Sequence, residues 1–291
     1  MAGDSCAGDN LPMRGTVVFL GTGTSVGVPA LGCDCAVCHS EDPRNQRTRC
    51  AIAILLPTGN LLVDTPPDLR AQLLREKIPL IHCVVYTHEH ADHLFGLDDL
   101  RLFPFRLGTP VPLYCDTNVE SRIRKAFDYA FTQRAPTHPG ATPSLEFRNI
   151  DHHSRFTALG VSITPIPMKH GPHFEVLGFR FGNFAYCTDT NYISDESIEL
   201  LRGVDTLVIG ALRRKPHPTH FNVDEAVEVS RRIEPRQTLL THISHDLDFE
   251  ATQKWLPKDV ALSYDGLRVE IEIPAADLTD VTKSAKESPE P

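Results

Sequence analysis

Apolar residues recur along this chain in short runs punctuated by glycine, proline and asparagine, a pattern of β-strands more than of long helices. Residues 16–20, 51–56 and 61–63 are strand-like, the last two joined through Pro57-Thr58-Gly59-Asn60 as a hairpin. The spacing then predicts a helix over 69–76, a strand over 83–87, a helix after His93, a strand over 111–114 and a helix over 119–131. Beyond a Pro- and Thr-rich loop at 136–143, strands are expected at 161–166, 176–181, 184–187 and 206–209. Asn222 and Glu225 resemble a capping box, and Val223, Ala226, Val227 and Ile233 supply the apolar stripe of a helix reaching about Arg232. A strand over 238–241 follows. Asp265-Gly266 signals a tight turn before Leu267, Val269, Ile271 and Ile273, which alternate with Arg268, Glu270 and Glu272 as an amphipathic strand should. Mixed strands and helices of this kind make an α/β (α+β) chain.

Composition narrows the class. With 291 residues, 41% hydrophobic and 23% charged, the chain has the balance of a folded globular protein. One catalytic domain over 14–274 is expected, with a flexible segment at 1–13 and a disordered tail at 275–291, where residues are small, charged or proline. The 29 basic and 38 acidic residues give a formal charge of −9, which disfavours a polyanionic partner such as nucleic acid. No apolar run approaches the ~20 residues of a membrane span, and residues 1–13 lack the basic start and apolar core of a secretory signal, so a cytoplasmic location is the expectation. In a reducing compartment the C-x-C-x-x-C of Cys33, Cys35 and Cys38 makes better sense as metal ligands than as disulfides.

The densest chemistry is His88-Glu89-His90-Ala91-Asp92-His93, directly after an apolar strand. Imidazoles and a carboxylate at this density offer N and O ligands suited to zinc or a similar divalent ion. In an extended segment His88 and His90 share a side, and a turn into a helix lets Asp92 and His93 approach from another direction. Three more candidates follow predicted strands: His170, Asp189 and His242. Together they make seven ligand positions, enough for two ions sharing one carboxylate.

This cluster, with the later His170, Asp189 and His242, resembles the metallo-β-lactamase superfamily, which implies a four-layer αββα sandwich with a dinuclear site. By that resemblance His88, His90 and His170 hold one ion, Asp92, His93 and His242 the other, and Asp189 bridges them. Leu61-Leu62-Val63-Asp64-Thr65 resembles the superfamily's opening motif, where the aspartate supports the site; Asp64 capping the following turn is the other reading. Finer motifs are Gly21-Thr22-Gly23-Thr24-Ser25-Val26-Gly27-Val28-Pro29, Gly32-Cys33-Asp34-Cys35-Ala36-Val37-Cys38 and Gly96-Leu97-Asp98-Asp99-Leu100-Arg101. With His217-Pro218-Thr219-His220 and Leu240-Thr241-His242-Ile243-Ser244-His245-Asp246, they resemble the PhnP-type cyclic phosphodiesterases of phosphonate breakdown.

That resemblance implies two catalytic divalent ions, zinc or manganese, and a structural zinc on Cys33, Cys35, Cys38 and His245, with His39 the rival fourth ligand. It also implies His220 and Asp92 as catalytic residues, and a small phosphorylated sugar as substrate: 5-phosphoribosyl 1,2-cyclic phosphate, opened to ribose 1,5-bisphosphate. A surface histidine is the plainer reading of His220. Arg213, Arg214 and Lys215, and more weakly Arg44, Arg47 and Arg49, are candidates to meet a distal phosphate, outside the catalytic set.

Other readings stay open. Gly21, Gly23 and Gly27 follow a strand, but Pro29 and the cysteines stand where a dinucleotide-binding helix would begin, so these glycines are expected to serve tight turns. The same metal motif fits a phosphodiesterase acting on cyclic nucleotides or a tRNA-processing nuclease, a non-phosphodiester hydrolase, or a metal-stabilised carrier. Oligomeric state is not legible, and a homodimer stays open.

Overall fold

The computed structural model describes residues 11–132, 138 and 140–278. In chain order the elements are β1 (Met13–Gly21), β2 (Ala51–Leu56), β3 (Gly59–Val63), α1 (Leu69–Arg75), β4 (Cys83–Val85), α2 (Ala91–Leu94), α3 (Phe103–Leu107), β5 (Val111–Cys115), α4 (Thr117–Ala126), β6 (Leu145–Asn149) and β7 (Phe156–Ala158). There follow β8 (Val161–His170), β9 (Phe174–Phe181), β10 (Phe184–Cys187), β11 (Tyr192–Ile193), α5 (Asp195–Leu201), β12 (Thr206–Gly210), α6 (Val223–Ile233), β13 (Gln237–Thr241), α7 (Phe249–Gln253), β14 (Val260–Leu262) and β15 (Arg268–Ile273).

The strands form two sheets, ordered β15-β1-β2-β3-β4-β5-β6 and β11-β8-β9-β10-β12-β13-β14, with β7 beside β8. Alternation along β1 shows how they stack: Val17 and Phe19 face the second sheet's Phe179 and Phe184, while Val18 and Leu20 face Leu69 and Leu73 of α1. On the far side Ile166, Leu207 and Leu240 pack under Ile198 of α5, Ala226 and Ile233 of α6, and Phe249 of α7. Three apolar cores separate four layers, the αββα sandwich expected.

Parallel pairing runs through β3-β4-β5-β6 and through β10-β12-β13-β14, so within each sheet these strands end on one edge. The two edges are stitched together: Leu177 N donates to Thr87 O at 3.0 Å, and Cys50 Sγ lies 3.4 Å from Thr241 Oγ1. Residues that follow those strand ends therefore share one rim.

Differences from the sequence reading have local causes. The strand expected to stop at 166 continues to His170 through Pro165 and Pro167. Proline removes a ladder donor, but β7 flanks β8 only at 161–163 and β11 only at 168–169, leaving that edge free where the prolines sit. The helix expected over 119–131 is α4, which starts earlier because Asp116 caps it, accepting from Val119 N at 2.8 Å, and stops at Phe127; a 3₁₀ turn over Asp128–Ala130 follows. The helix placed after His93 begins at Ala91 and is one turn long. Residues 275–277, expected in a disordered tail, form a 3₁₀ turn, and Leu278 bridges Val161; 279–291 lie outside the described residues, as do 1–10 and most of the loop at 136–143's first half. Gly21 and Gly23 do not serve turns: a Cβ would lie 1.9 Å from Arg49 O at Gly21 and 2.6 Å from Arg47 O at Gly23. Close backbone approach excludes a side chain there, whereas Gly27, at φ 68°, is a turn glycine.

Candidate active site

Each candidate site residue ends a strand, follows one, or lies on the short helix just beyond one. Asp64 follows β3, His88 and His90 follow β4, Asp92 and His93 lie on α2, His170 ends β8, Asp189 follows β10 and His242 follows β13. Asp64, Asp189 and His242 have φ of 66°, 51° and 56°, half of the six non-glycine residues with positive φ among those described. Left-handed backbone turns each side chain over the sheet edge, and aspartate and histidine tolerate it better than most residues.

The structure brings all seven predicted ligands together. Ligand atoms of His88, His90 and His170 form one group and those of Asp92, His93, Asp189 and His242 a second, each within 4.8 Å. Asp189 lies between them: Oδ1 is 3.2 Å from His242 Nε2, while Oδ2 is 3.3 Å from His93 Nε2 and 3.8 Å from His88 Nε2. Asp92 Oδ2 is 3.3 Å from His93 Nε2.

Hydrogen bonds outside the rim set which ring nitrogen faces inward. His93 Nδ1 donates to Asp64 Oδ2 at 2.7 Å, and His170 Nδ1 donates to Thr219 O at 2.8 Å. Thr87 Oγ1 donates to Asp64 Oδ2 at 2.8 Å and so accepts from His88 Nδ1 at 3.0 Å. With Nδ1 of all three rings engaged outside the rim, Nε2 is the nitrogen each turns to the interior, the one a metal ligand would use. Buried Nε2 of His93 and both ring nitrogens of His242 have no hydrogen-bond partner among the described residues, and His88 Nε2 faces His90 Nδ1 at 3.0 Å. Orphaned nitrogens converging on two carboxylates fit a divalent ion and little else.

Charges follow the same logic. Burial, then the neighbouring His93, pushes His88 well below the usual histidine range, and burial also lowers His170. Burial opposes charge on Asp189, yet His242 and His93 outweigh it and hold the carboxyl well below its ordinary value. For His93 burial is likewise overcome, by Asp92, Asp189 and Asp64, and the ring is drawn upward.

Asp64 is fully buried and accepts from Thr87 N at 2.8 Å as well as from Thr87 Oγ1 and His93. It supports the site rather than capping a turn. Asp64→Asn keeps the backbone preference but sets an amide N–H against His93 Nδ1–H, pushing that proton to Nε2, where it blocks ligation. The expected result is a 10- to 100-fold weaker grip on metal in a chelator titration; an unchanged titration removes Asp64 from this role.

His220, half-buried on the loop between β12 and α6, stacks on His242 with centroids 4.7 Å apart and lies 4.6 Å from His170. It can also share a ligand position with His170 and Asp189, which the sequence did not suggest. Burial, with His242 nearby, lowers it to about 3, so the ring is neutral. Two contacts with no signal in the sequence hold this loop beside His170: Asn191 Oδ1 accepts from Gly171 N at 2.7 Å, and its amide donates to Pro218 O at 3.0 Å.

Cys33, Cys35, Cys38 and His245 form a separate cluster. His245 Nδ1 lies 3.1 Å from Cys33 Sγ and 3.4 Å from Cys35 Sγ, whereas His39 is exposed, its ring 4.0 Å from Asp34. The Cys38 N–H and His245 draw the Cys35 thiol down to about 6, while burial pushes Cys38 up to about 11. The arginines suggested for a distal phosphate are engaged elsewhere. Arg213 donates to Lys215 O and Pro216 O at 3.3 and 3.1 Å, Arg214 lies over Trp255, Arg44 pairs with Asp42 and Glu250, Arg49 pairs with Asp68, and Arg47 is buried.

The family profile described as Beta-lactamase superfamily domain matches residues 59–243. A solved structure described as a new diphosphatase from the PhnP family is 42% identical, with a TM-score of 0.84 over 91% of this chain and 100% of that one. The octanoyltransferase of Porphyromonas gingivalis is 36% identical over 258 residues, 88% of this chain and 51% of that protein. The chain thus spans about half the length of that curated relative. Ribonuclease Z of Anoxybacillus flavithermus is 27% identical over 284 residues, 78% of this chain and 86% of that protein.

Proposed function

Because the chain belongs to the β-lactamase superfamily, with the fold and metal-ligand groups of its hydrolases, we propose that it is a dinuclear phosphodiesterase opening a small cyclic phosphate, 5-phosphoribosyl 1,2-cyclic phosphate. The observation that carries this reading is Asp189, whose two carboxylate oxygens reach toward both ligand groups. His88, His90 and His170 would hold one ion, Asp92, His93 and His242 the other, with Asp189 shared. Such ions supply Lewis acidity at the phosphoryl oxygens and a water acidic enough to act as nucleophile near neutral pH. Asp64, Thr87 and Thr219 keep the histidine tautomers correct, and neutral His220 offers an N–H to the departing alkoxide.

A second reading follows from the 42% identical diphosphatase: cleavage of a phosphoanhydride at the same site. Phosphorus NMR of the metal-loaded protein with the ribosyl cyclic phosphate, a 2′,3′-cyclic nucleotide, a sugar diphosphate and a precursor-tRNA mimic separates them. Selective opening of the ribosyl ring is expected. Preference for the diphosphate selects the second reading, preference for the nucleotide or RNA moves the site to those substrates, and inertness toward all four overturns a phosphoryl-transfer role.

The cysteine cluster is proposed to hold a structural zinc, since Cys₃His is a closed ligand set that ties two remote loops. Three zinc equivalents per chain are expected. Cys35→Ser should lose one and lower the thermal midpoint by roughly 5–10 °C, the scale of a few kcal/mol in a domain this size; full zinc content and an unmoved midpoint would refute the assignment.

A further inference from the structure

Arg47 is among the largest fully buried side chains, 1% exposed, and no carboxylate lies within hydrogen-bond reach of it among the described residues. Its guanidinium is instead spent on oxygens that carry no formal charge. Nη1 donates to Ser244 O at 2.8 Å, Nη2 to Leu247 O at 2.7 Å and Asn45 Oδ1 at 2.8 Å, and Nε to Arg44 O at 3.3 Å. Ser244 and Leu247 flank His245, and Ser244 lies two residues past His242. The fork therefore grips the short segment that sends one ring to Asp92, His93 and Asp189 and another to the three cysteines.

The other end of the brace belongs to the cysteine-bearing loop. Arg47 N donates to Val28 O at 2.7 Å and Val28 N to Arg47 O at 2.8 Å, closing the loop that carries Cys33, Cys35 and Cys38. Gly23 fits between the two parts, bridging Arg49 and Ile243. Asn45 extends the contact: its Oδ1 also accepts from Phe249 N at 2.9 Å, and its amide donates to Asp248 Oδ2 at 2.8 Å. Burial draws Arg47 down to about 10, so it remains a cation at neutral pH. An apolar side chain of similar volume fills such a place without the desolvation cost, and stability alone does not favour a buried guanidinium. Fixing two backbone carbonyls in one geometry is what the fork adds.

We propose that Arg47 is a positioning residue that locks segment 242–247 and thereby couples the cysteine cluster to the His242 ligand group, so that loosening either weakens ion binding at the other. This rests on the reading that both groups hold ions, and the test keeps the two apart. Full-length wild type, Arg47→Met and Cys35→Ser are loaded with zinc and titrated with a chromogenic chelator; near-ultraviolet circular dichroism reports packing, and His242→Ala and His88→Ala assign each released equivalent.

Both variants are expected to release the His242-group ion 10- to 100-fold more readily while the His88-group ion is released as in wild type. A merely structural Arg47 would leave every release unchanged in the folded protein or weaken all alike, and either result overturns the coupling. If Arg47→Met lacks native packing, Cys35→Ser decides: loss of its own equivalent alone overturns the proposal. A wild type that binds no zinc overturns the site reading itself, whereas a fully loaded wild type with unmoved variants overturns only the coupling.

Discussion

Asp189→Asn is expected to lower kcat/KM by about 10²- to 10⁴-fold and to strip ions from the protein, the scale of the 3–5 kcal/mol lost when one partner of a buried charged set is removed. The carboxylate is 2% exposed, with Nε2 of His242 and His93 at 3.2 and 3.3 Å and Thr188 Oγ1 donating to Oδ1 at 2.8 Å. Its φ of 51° is one that asparagine also adopts, so the substitution leaves the backbone turn in place and removes charge alone. The amide would set an N–H toward a ring nitrogen and supply one acceptor where two are shared. Metal content by mass spectrometry, followed by turnover at saturating zinc or manganese, checks both halves. A variant that keeps two catalytic equivalents and acts within tenfold of wild type would remove Asp189 as the shared ligand.

That aspartate was legible only through its place. The His88 to His93 cluster announces itself because four ligands crowd one short segment, whereas Asp189, His170 and His242 stand out merely as polar residues following apolar strands. Their convergence comes from the strand order of the second sheet, antiparallel through β8-β9-β10 and parallel through β10-β12-β13, and from left-handed backbone at two of them, and neither leaves a mark in residue type. Asp64 was ambiguous for a related reason: capping a turn and orienting His93 use the same residue, and only its three bonds decide.

Arg47 lay furthest from view. In Arg44-Asn45-Gln46-Arg47-Thr48-Arg49 it has the spacing of a solvated cation, and its neighbours Arg44 and Arg49 do meet surface or half-buried carboxylates. Its burial depends on carbonyls about 200 residues away. The fourth member of the cysteine cluster is equally remote, yet the family resemblance points to His245 with His39 as the rival, and the fold places His245 Nδ1 3.1 Å from Cys33 Sγ while leaving His39 exposed. The strand β8 runs past Pro165 and Pro167 to His170 because a proline is harmless where its edge has no partner.

His220→Ala separates hydrogen bonding to the leaving group from metal holding. The ring stacks on His242 and approaches His170, so its loss is expected to leave ion content near wild type while turnover of a cyclic diester falls by about 10²- to 10³-fold, the scale of removing one hydrogen-bond donor from a developing oxyanion. The discriminating comparison is the leaving group. An alkoxide departs poorly without a proton or strong hydrogen bond, whereas p-nitrophenolate departs readily, so the variant should lose far less activity toward a p-nitrophenyl phosphodiester. Equal losses on both substrates with intact ion content would assign His220 to substrate positioning. Parallel losses of ion and activity would make it a ligand instead, a place its grouping with His170 and Asp189 allows. A phosphoanhydride substrate, whose leaving phosphate also needs little protonation, should behave like the nitrophenyl ester. The one substitution therefore reports on the residue's role and on which of the two proposed reactions the site is built to perform.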